Sequence, residues 1–135
     1  MGDEGTTSEG APVRSYRDLQ VWQFAMSLAE RCYEVTSRFP KEETYVMSSQ
    51  MRRATISIAA NIAEGYGRGS TNGYIQFLRI AQGSNRELET HVLLASRIKL
   101  LDEQSAAPLL EACDRISRML NALIRSLEAR KDARH

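Results

Sequence analysis

Between Ser49 and Arg68 the chain carries two helical stripes side by side. Met51, Ala54, Ile58 and Ile62 recur at spacings of three and four, the repeat of one helix face. Gln50, Arg53, Ser57, Asn61, Glu64 and Arg68 recur in the same way on an adjacent face. The polar stripe is rich in short amide and hydroxyl side chains and is flanked by alanines, which suits close approach of another helix. No segment alternates with period two over the length of a strand, so the apolar residues have only helices on which to form a core.

The rest of the chain repeats this pattern. The first helix is expected from about Asp18, its N-cap, to Ser37. Val21, Ala25, Leu28, Cys32 and Val35 form one stripe of it, and Trp22, Met26, Ala29, Tyr33 and Thr36 a second. Two apolar stripes make a wider face than a surface helix of a monomer needs, and Trp22 reads as a core anchor. Phe39-Pro40 closes this helix, because the residue before a proline is pushed out of the α region. Lys41 to Met47 connects to the second helix, capped by Ser48. Gly65, Gly67 and Gly69 alternate at its end as a C-cap able to take positive φ. They follow a helix, with no Gly-Lys-Ser/Thr, so they are not a phosphate loop.

Ser70 or Asn72 caps the third helix, expected to run to about Leu100. Its core face is Tyr74, Phe77, Ala81, Leu88, Val92, Ala95 and Ile98. Gly83 in mid-helix signals the close approach of a neighbour. Arg79, Arg86 or Glu87, and Thr90 form a polar line that can face the polar stripe of the second helix. Asp102 caps the fourth helix, from about Glu103 to Arg130, with Pro108 in or near its first turns. Leu109, Cys113, Ile116, Leu120, Leu123 and Leu127 are its a/d positions, widened by Leu110 and Ile124. Four helices with short links predict an all-α, antiparallel up-down-up-down four-helix bundle over residues 16–130. Residues 1–15 read as a flexible tail and residues 131–135 as a C-terminal tail.

A chain of 135 residues supports one domain with a real core. Its net charge of +1 gives no bulk basic excess, so nucleic-acid binding needs a local patch. Most of its cations are arginine, the better fork for phosphate. Arg52, Arg53 and Arg68 lie on the second helix, and Arg79, Arg86 and Arg97 are spaced to share a face of the third. These six are the candidate nucleic-acid contacts. Gln50, Ser57, Asn61, Glu64 and Glu87 are the candidate structural polar network, holding helices in register rather than performing catalysis.

No other chemistry emerges from the spacing. His91 and His135 with Cys32 and Cys113 do not supply a zinc set, and Glu87 and His91 stand four apart where a di-iron bundle needs three. No Ser or Cys sits in a strained strand-to-helix turn. The expectation is no catalytic residue, no metal, no cofactor and no small-molecule substrate. The two cysteines read as small buried residues. No apolar run approaches the ~20 residues that span a bilayer, and the acidic N-terminus lacks the apolar core of a signal peptide. A cytoplasmic protein without membrane contact is expected.

Several short motifs then stand in a telling order: Tyr16-Arg17-Asp18-Leu19 before Val21-Trp22, Phe39-Pro40 with Glu43, and Ser49-Gln50 with Arg52-Arg53-Ala54. After them come Ser57-Ile58, Asn61-Ile62-Ala63-Glu64-Gly65, Ala81 with Gly83-Ser84, and Glu87-Leu88-Glu89. From Tyr16 to Leu101 the chain resembles the small proteins encoded in intervening sequences of bacterial 23S ribosomal RNA genes. The resemblance implies a four-helix bundle that assembles into pentameric rings, with no established enzymatic activity and no catalytic residue to carry over. It also implies kinship with the accessory variability protein of diversity-generating retroelements, a ring associated with nucleic acid and a reverse transcriptase. The expectation is therefore a non-enzymatic homopentamer that binds RNA or DNA through its arginines. The alternative is a scaffold that docks another protein without binding nucleic acid.

Overall fold

Four α-helices enclose one apolar core in the computed structural model, which describes residues 12–133. They are α1 (Gln20–Thr36), α2 (Ser49–Tyr66), α3 (Thr71–Arg97) and α4 (Glu103–Ala133), and the described residues contain no strand. Each helix packs on the next in sequence, and α4 closes the square against α1. The α2–α3 and α3–α4 links are too short to let a long helix restart at the far end, so neighbours run antiparallel. Leu28, Met51, Ile58, Leu78, Leu88 and Leu120 are fully enclosed, drawn from all four helices by their three-and-four spacing.

The chain enters the bundle differently from the sequence expectation. Asp18 does not cap α1. It closes a 3₁₀ turn, Tyr16–Asp18, in which Ser15 Oγ accepts from the Arg17 amide at 3.2 Å. Asp18 Oδ2 accepts in return from the Arg14 and Ser15 amides at 2.8 and 3.3 Å. Leu19, buried and without a capping side chain, precedes α1. Residues 12–15 of the expected tail are therefore structured, with Val13 against the core; residues 1–11 lie outside the described residues.

Ser48 is not a cap either. It is buried within a π-helical turn, Thr44–Ser48, that runs directly into α2. This turn faces Tyr45 and Val46 outward, 90% and 60% exposed.

The glycines divide by role. Gly67 caps α2 at φ −86°, and the positive φ falls on Gly69 at 78°. A Cβ on Gly65 would lie 2.9 Å from Phe77 Cβ and 3.2 Å from the Tyr74 carbonyl oxygen, so the close crossing of α2 and α3 sits here. Gly83, where the sequence suggested such an approach, is exposed, and an added Cβ would meet nothing within 4 Å.

α3 stops at Arg97 rather than Leu100, and Ile98 is 56% exposed instead of in the core. The Leu100 amide donates to the Ala95 carbonyl at 2.9 Å and the Lys99 amide to that of Ser96 at 3.1 Å, a Schellman closure. Its left-handed position is taken by Lys99, φ 63°. Ser70 caps α3 through the Gly73 amide, and Asp102 caps α4 through the Ser105 amide. Pro108 lies inside α4, which continues through Lys131 and Asp132 to Ala133 where a tail was expected.

Candidate interaction surfaces

The surplus apolar stripe of α1 does not enter the core. Val21, Ala25, Leu28 and Cys32 do, while Met26 and Tyr33 remain 40% and 43% exposed. Trp22 is half-buried, edge-on to Tyr16 with ring centroids 5.2 Å apart, and it packs against the margin of the core rather than inside it. These residues and Ile56 wall a groove of about 630 Å³ between α1 and α2. Ala59, Ala60 and Ala63 keep its α2 side low. Thr36 leaves this stripe for the interior, where its hydroxyl donates to the Cys32 carbonyl at 2.7 Å. Other exposed apolar side chains are Ile80, Leu93 and Leu94 on α3 and Ile98 just past its end.

The expected polar network splits. Ser57 Oγ lies 2.7 Å from Ser84 Oγ, and Asn61 Nδ2 donates to the Ser57 carbonyl and hydroxyl at 2.8 and 3.0 Å. Glu64 and Glu87 are not in it. Glu64 faces Arg68 at 3.6 Å with both side chains more than half exposed, and Glu87 approaches His91 at 3.6 Å. Gln50 is half-buried, and its side chain makes no hydrogen bond among the described residues.

A larger polar seam joins α3 to α4. Gln82 Nε2 donates to the Ser117 carbonyl and to Asn121 Oδ1 at 3.1 and 2.9 Å. Asn85, 1% exposed, donates to the Cys113 carbonyl at 2.8 Å.

The six candidate arginines do not form one surface. Arg79 pairs with Glu128 of α4 at 2.8 Å. Arg86 reaches Glu89 at 3.2 Å and the Ser117 hydroxyl at 3.1 Å. Both therefore join the α4 seam rather than facing the polar stripe of α2. Arg52 turns the other way: its Nε donates to Thr36 Oγ1 at 2.8 Å and its Cζ sits 4.5 Å from the Tyr33 ring centroid. Arg68 covers Phe77 at 5.3 Å besides pairing with Glu64. Arg53 and Arg97 are exposed and make no ion pair among the described residues.

A cationic group that the sequence reading passed over lies between α1 and α4. Phe24, Arg31, Arg115 and Arg118 line a cleft of about 530 Å³. Arg115 Cζ stands 4.2 Å from the Phe24 ring centroid, and Arg118 pairs with Asp114 at 3.2 Å. The available signal was spacing. Phe24 and Arg31 are two turns apart on one face, and Arg115 and Arg118 are one turn apart. Only the closing contact of first and last helix brings the two pairs together.

Among the described residues no three His, Cys, Asp or Glu side chains gather as metal ligands, and His135 lies outside them. Cys32 and Cys113 are free thiols in the core. Burial pushes their pKa values up to about 11 and about 12, with Cys32 also raising that of Cys113. Neither is an activated nucleophile, which would need a lowered pKa. No helix among the described residues is long and apolar enough to cross a membrane.

Residues 17–122 match the protein family described as 23S rRNA-intervening sequence protein. No curated protein matches the chain. Among solved structures it is similar to a protein of unknown function from the S23 ribosomal protein family of Bacteroides thetaiotaomicron. The two are 25% identical over 78% of this chain and 95% of that one, with a TM-score of 0.73.

Proposed function

The chain belongs to the family of 23S rRNA-intervening sequence proteins, and from that premise we propose a non-enzymatic helical bundle that self-assembles and holds RNA or DNA through repeated arginines. The observation that carries the reading is the uncovered α1–α2 groove. Met26, Tyr33 and Ile56 are each 40–47% exposed along it. Complete burial of such side chains is worth roughly 1.5–3 kcal/mol apiece, and nearly half of that is unrealised in a single copy.

The occupant is a second copy. The chain bears a groove with low alanine sides on α1–α2 and, away from it, exposed apolar side chains, Ile80 and Leu94 on one face of α3 with Ile98 just beyond its end. Two different apolar surfaces on one chain make a head-to-tail contact, which closes into a ring when the rotation permits. A pentamer is the number that the family resemblance implies. Repetition around the axis multiplies arginines that are sparse on one copy, so weak single contacts add to avid binding of a long strand.

Sedimentation at micromolar concentration tests the assembly. The wild type is expected to sediment as the oligomer and Ala60→Arg as a folded monomer, because a guanidinium would fill the groove. A monomeric wild type overturns the reading, and an Ala60→Arg variant that assembles normally removes the groove from it. A second reading, a scaffold docking another protein without nucleic acid, is favoured by Tyr45 and Val46, which project side by side from the π-helical turn. Binding that is absent at low salt, or that does not weaken as salt rises, favours this second reading.

A further inference from the structure

We propose that the cleft between α1 and α4 is a phosphodiester-binding site in which Arg31, Arg115 and Arg118 grip the backbone of a nucleic acid beside Phe24. The proposal rests on the nucleic-acid part of the function above and gives it a place that none of the six arginines between Arg52 and Arg97 occupies.

Three observations support it. The first is availability. Arg79 and Arg86 are held by Glu128, Glu89 and Ser117 within their own chain. Arg31 is exposed and makes no ion pair among the described residues. Arg115 is parked over the Phe24 ring, its Cζ 4.2 Å from the centroid. A guanidinium lying on a ring engages its face and keeps its N–H edge for a planar or tetrahedral oxyanion.

The second is charge. Glu111 and Asp114 also line the cleft, so three guanidinium groups stand against two carboxylates. Asp114 is engaged by Arg118 at 3.2 Å, with the two side chains 65% and 73% exposed. So exposed a pair contributes little, and a phosphate can take the place of its carboxylate.

The third is position. The cleft uses Phe24, Ser27 and Arg31 of α1, whereas the groove uses Trp22, Met26 and Tyr33. These are different faces of the same helix. A copy seated in the groove therefore leaves the cleft open, and assembly repeats it at every subunit. Pro108 and Ala112, both part-exposed, supply an apolar wall for the sugar or base that follows the phosphate.

The test is fluorescence anisotropy with labelled eight-nucleotide single-stranded RNA, single-stranded DNA and duplex DNA, read from 50 to 300 mM salt. The Arg31→Gln/Arg115→Gln/Arg118→Gln variant should bind at least tenfold more weakly than wild type. Its salt dependence for single strands should flatten by roughly two in log–log slope, about 0.7 per lost contact. Arg79→Gln/Arg86→Gln should bind as wild type. Comparison of the three strands identifies which nucleic acid the cleft takes. A folded triple variant that binds like wild type overturns the cleft and leaves the wider nucleic-acid reading standing. No binding by wild type at 50 mM salt of any of these strands, or of sixty-nucleotide strands long enough to span several subunits, overturns both. If the triple variant loses its helical circular dichroism, Arg31→Gln alone decides, by a slope flatter by about 0.7 or unchanged.

Discussion

The hydroxyl of Ser57 on α2 and that of Ser84 on α3 stand 2.7 Å apart, and Asn61 donates to the same Ser57 oxygen from one turn on. This is where the polar stripe of α2 touches another helix. Glu64, three residues beyond Asn61 in the same stripe, misses the contact and sits in an exposed pair with Arg68. Ser84→Ala should therefore destabilise the fold by about 1 kcal/mol, one part-buried hydrogen bond. Glu64→Gln should stay within about 0.5 kcal/mol of wild type. Urea titrations of the two variants side by side check the ranking, and a reversed order would return Glu64 to the network.

Gly65 in α2 and Gly83 in α3 should respond in opposite directions to alanine. At Gly65 the new methyl would stand 2.9 Å from Phe77 Cβ and 3.2 Å from the Tyr74 carbonyl oxygen. Both neighbours belong to the packed face or backbone of α3, so overpacking of about 1–3 kcal/mol outweighs the gain in helix propensity. At Gly83 nothing lies within 4 Å, and only the propensity gain of roughly 1 kcal/mol remains. Thermal melts should move down for Gly65→Ala and up for Gly83→Ala. A stabilised Gly65→Ala would mean that α3 can move away from α2 freely.

Lys99 holds φ 63° at the end of α3, a left-handed setting that crowds an L side chain. Its neighbours already complete the Schellman bonds, so only the Cβ strain is at issue. Lys99→Gly should stabilise by about 0.5–1 kcal/mol, the strain relieved less the extra freedom of glycine in the unfolded chain. A rise in the urea midpoint at unchanged slope would register it.

The bundle was legible because burial follows a three-and-four spacing that a linear sequence displays. Val21, Ala25, Leu28 and Cys32 showed as an apolar stripe on that ground, and the second stripe with Met26 and Tyr33 made the face too wide, but spacing did not say which of the two turns inward. What spacing does not encode is the rotation of each helix about its axis relative to helices it meets only in the fold. That rotation sends Arg79 to Glu128, 49 positions away, instead of to the polar stripe of α2. It also decides that the tight crossing falls at Gly65 and not at Gly83, although both are glycines inside helices. Arg31 and Arg115 were invisible as neighbours for the same reason, since α1 meets α4 only when the square closes. Lys99 hid a helix end because no glycine announced it.

Cys32 and Cys113 make stability depend on alkaline pH with a definite sign. Both thiols are enclosed, 0% and 1% exposed, and burial lifts their pKa values from 9.0 to about 11 and about 12. An acid whose pKa is raised by folding is held neutral in the native state and ionises more readily once unfolded. Its contribution is therefore complete below pH ~9 and is lost as the pH climbs through the folded values. At about one and a third kcal/mol per pKa unit, the loss is on the order of 2 to 4 kcal/mol per thiol by the time the upper values are reached, the larger figure for Cys113. The urea midpoint should hold steady to pH 8.5 and fall beyond pH 9. The decisive comparison is with Cys32→Ala/Cys113→Ala. That variant should be less stable at pH 7, from the cavities it opens, yet flatter in its decline between pH 9 and 11. The same burial predicts that a thiol reagent at pH 8 labels the wild type only as fast as the bundle opens. Rapid labelling of the folded protein, or a double variant whose alkaline decline matches wild type, would show that these thiols titrate in contact with water.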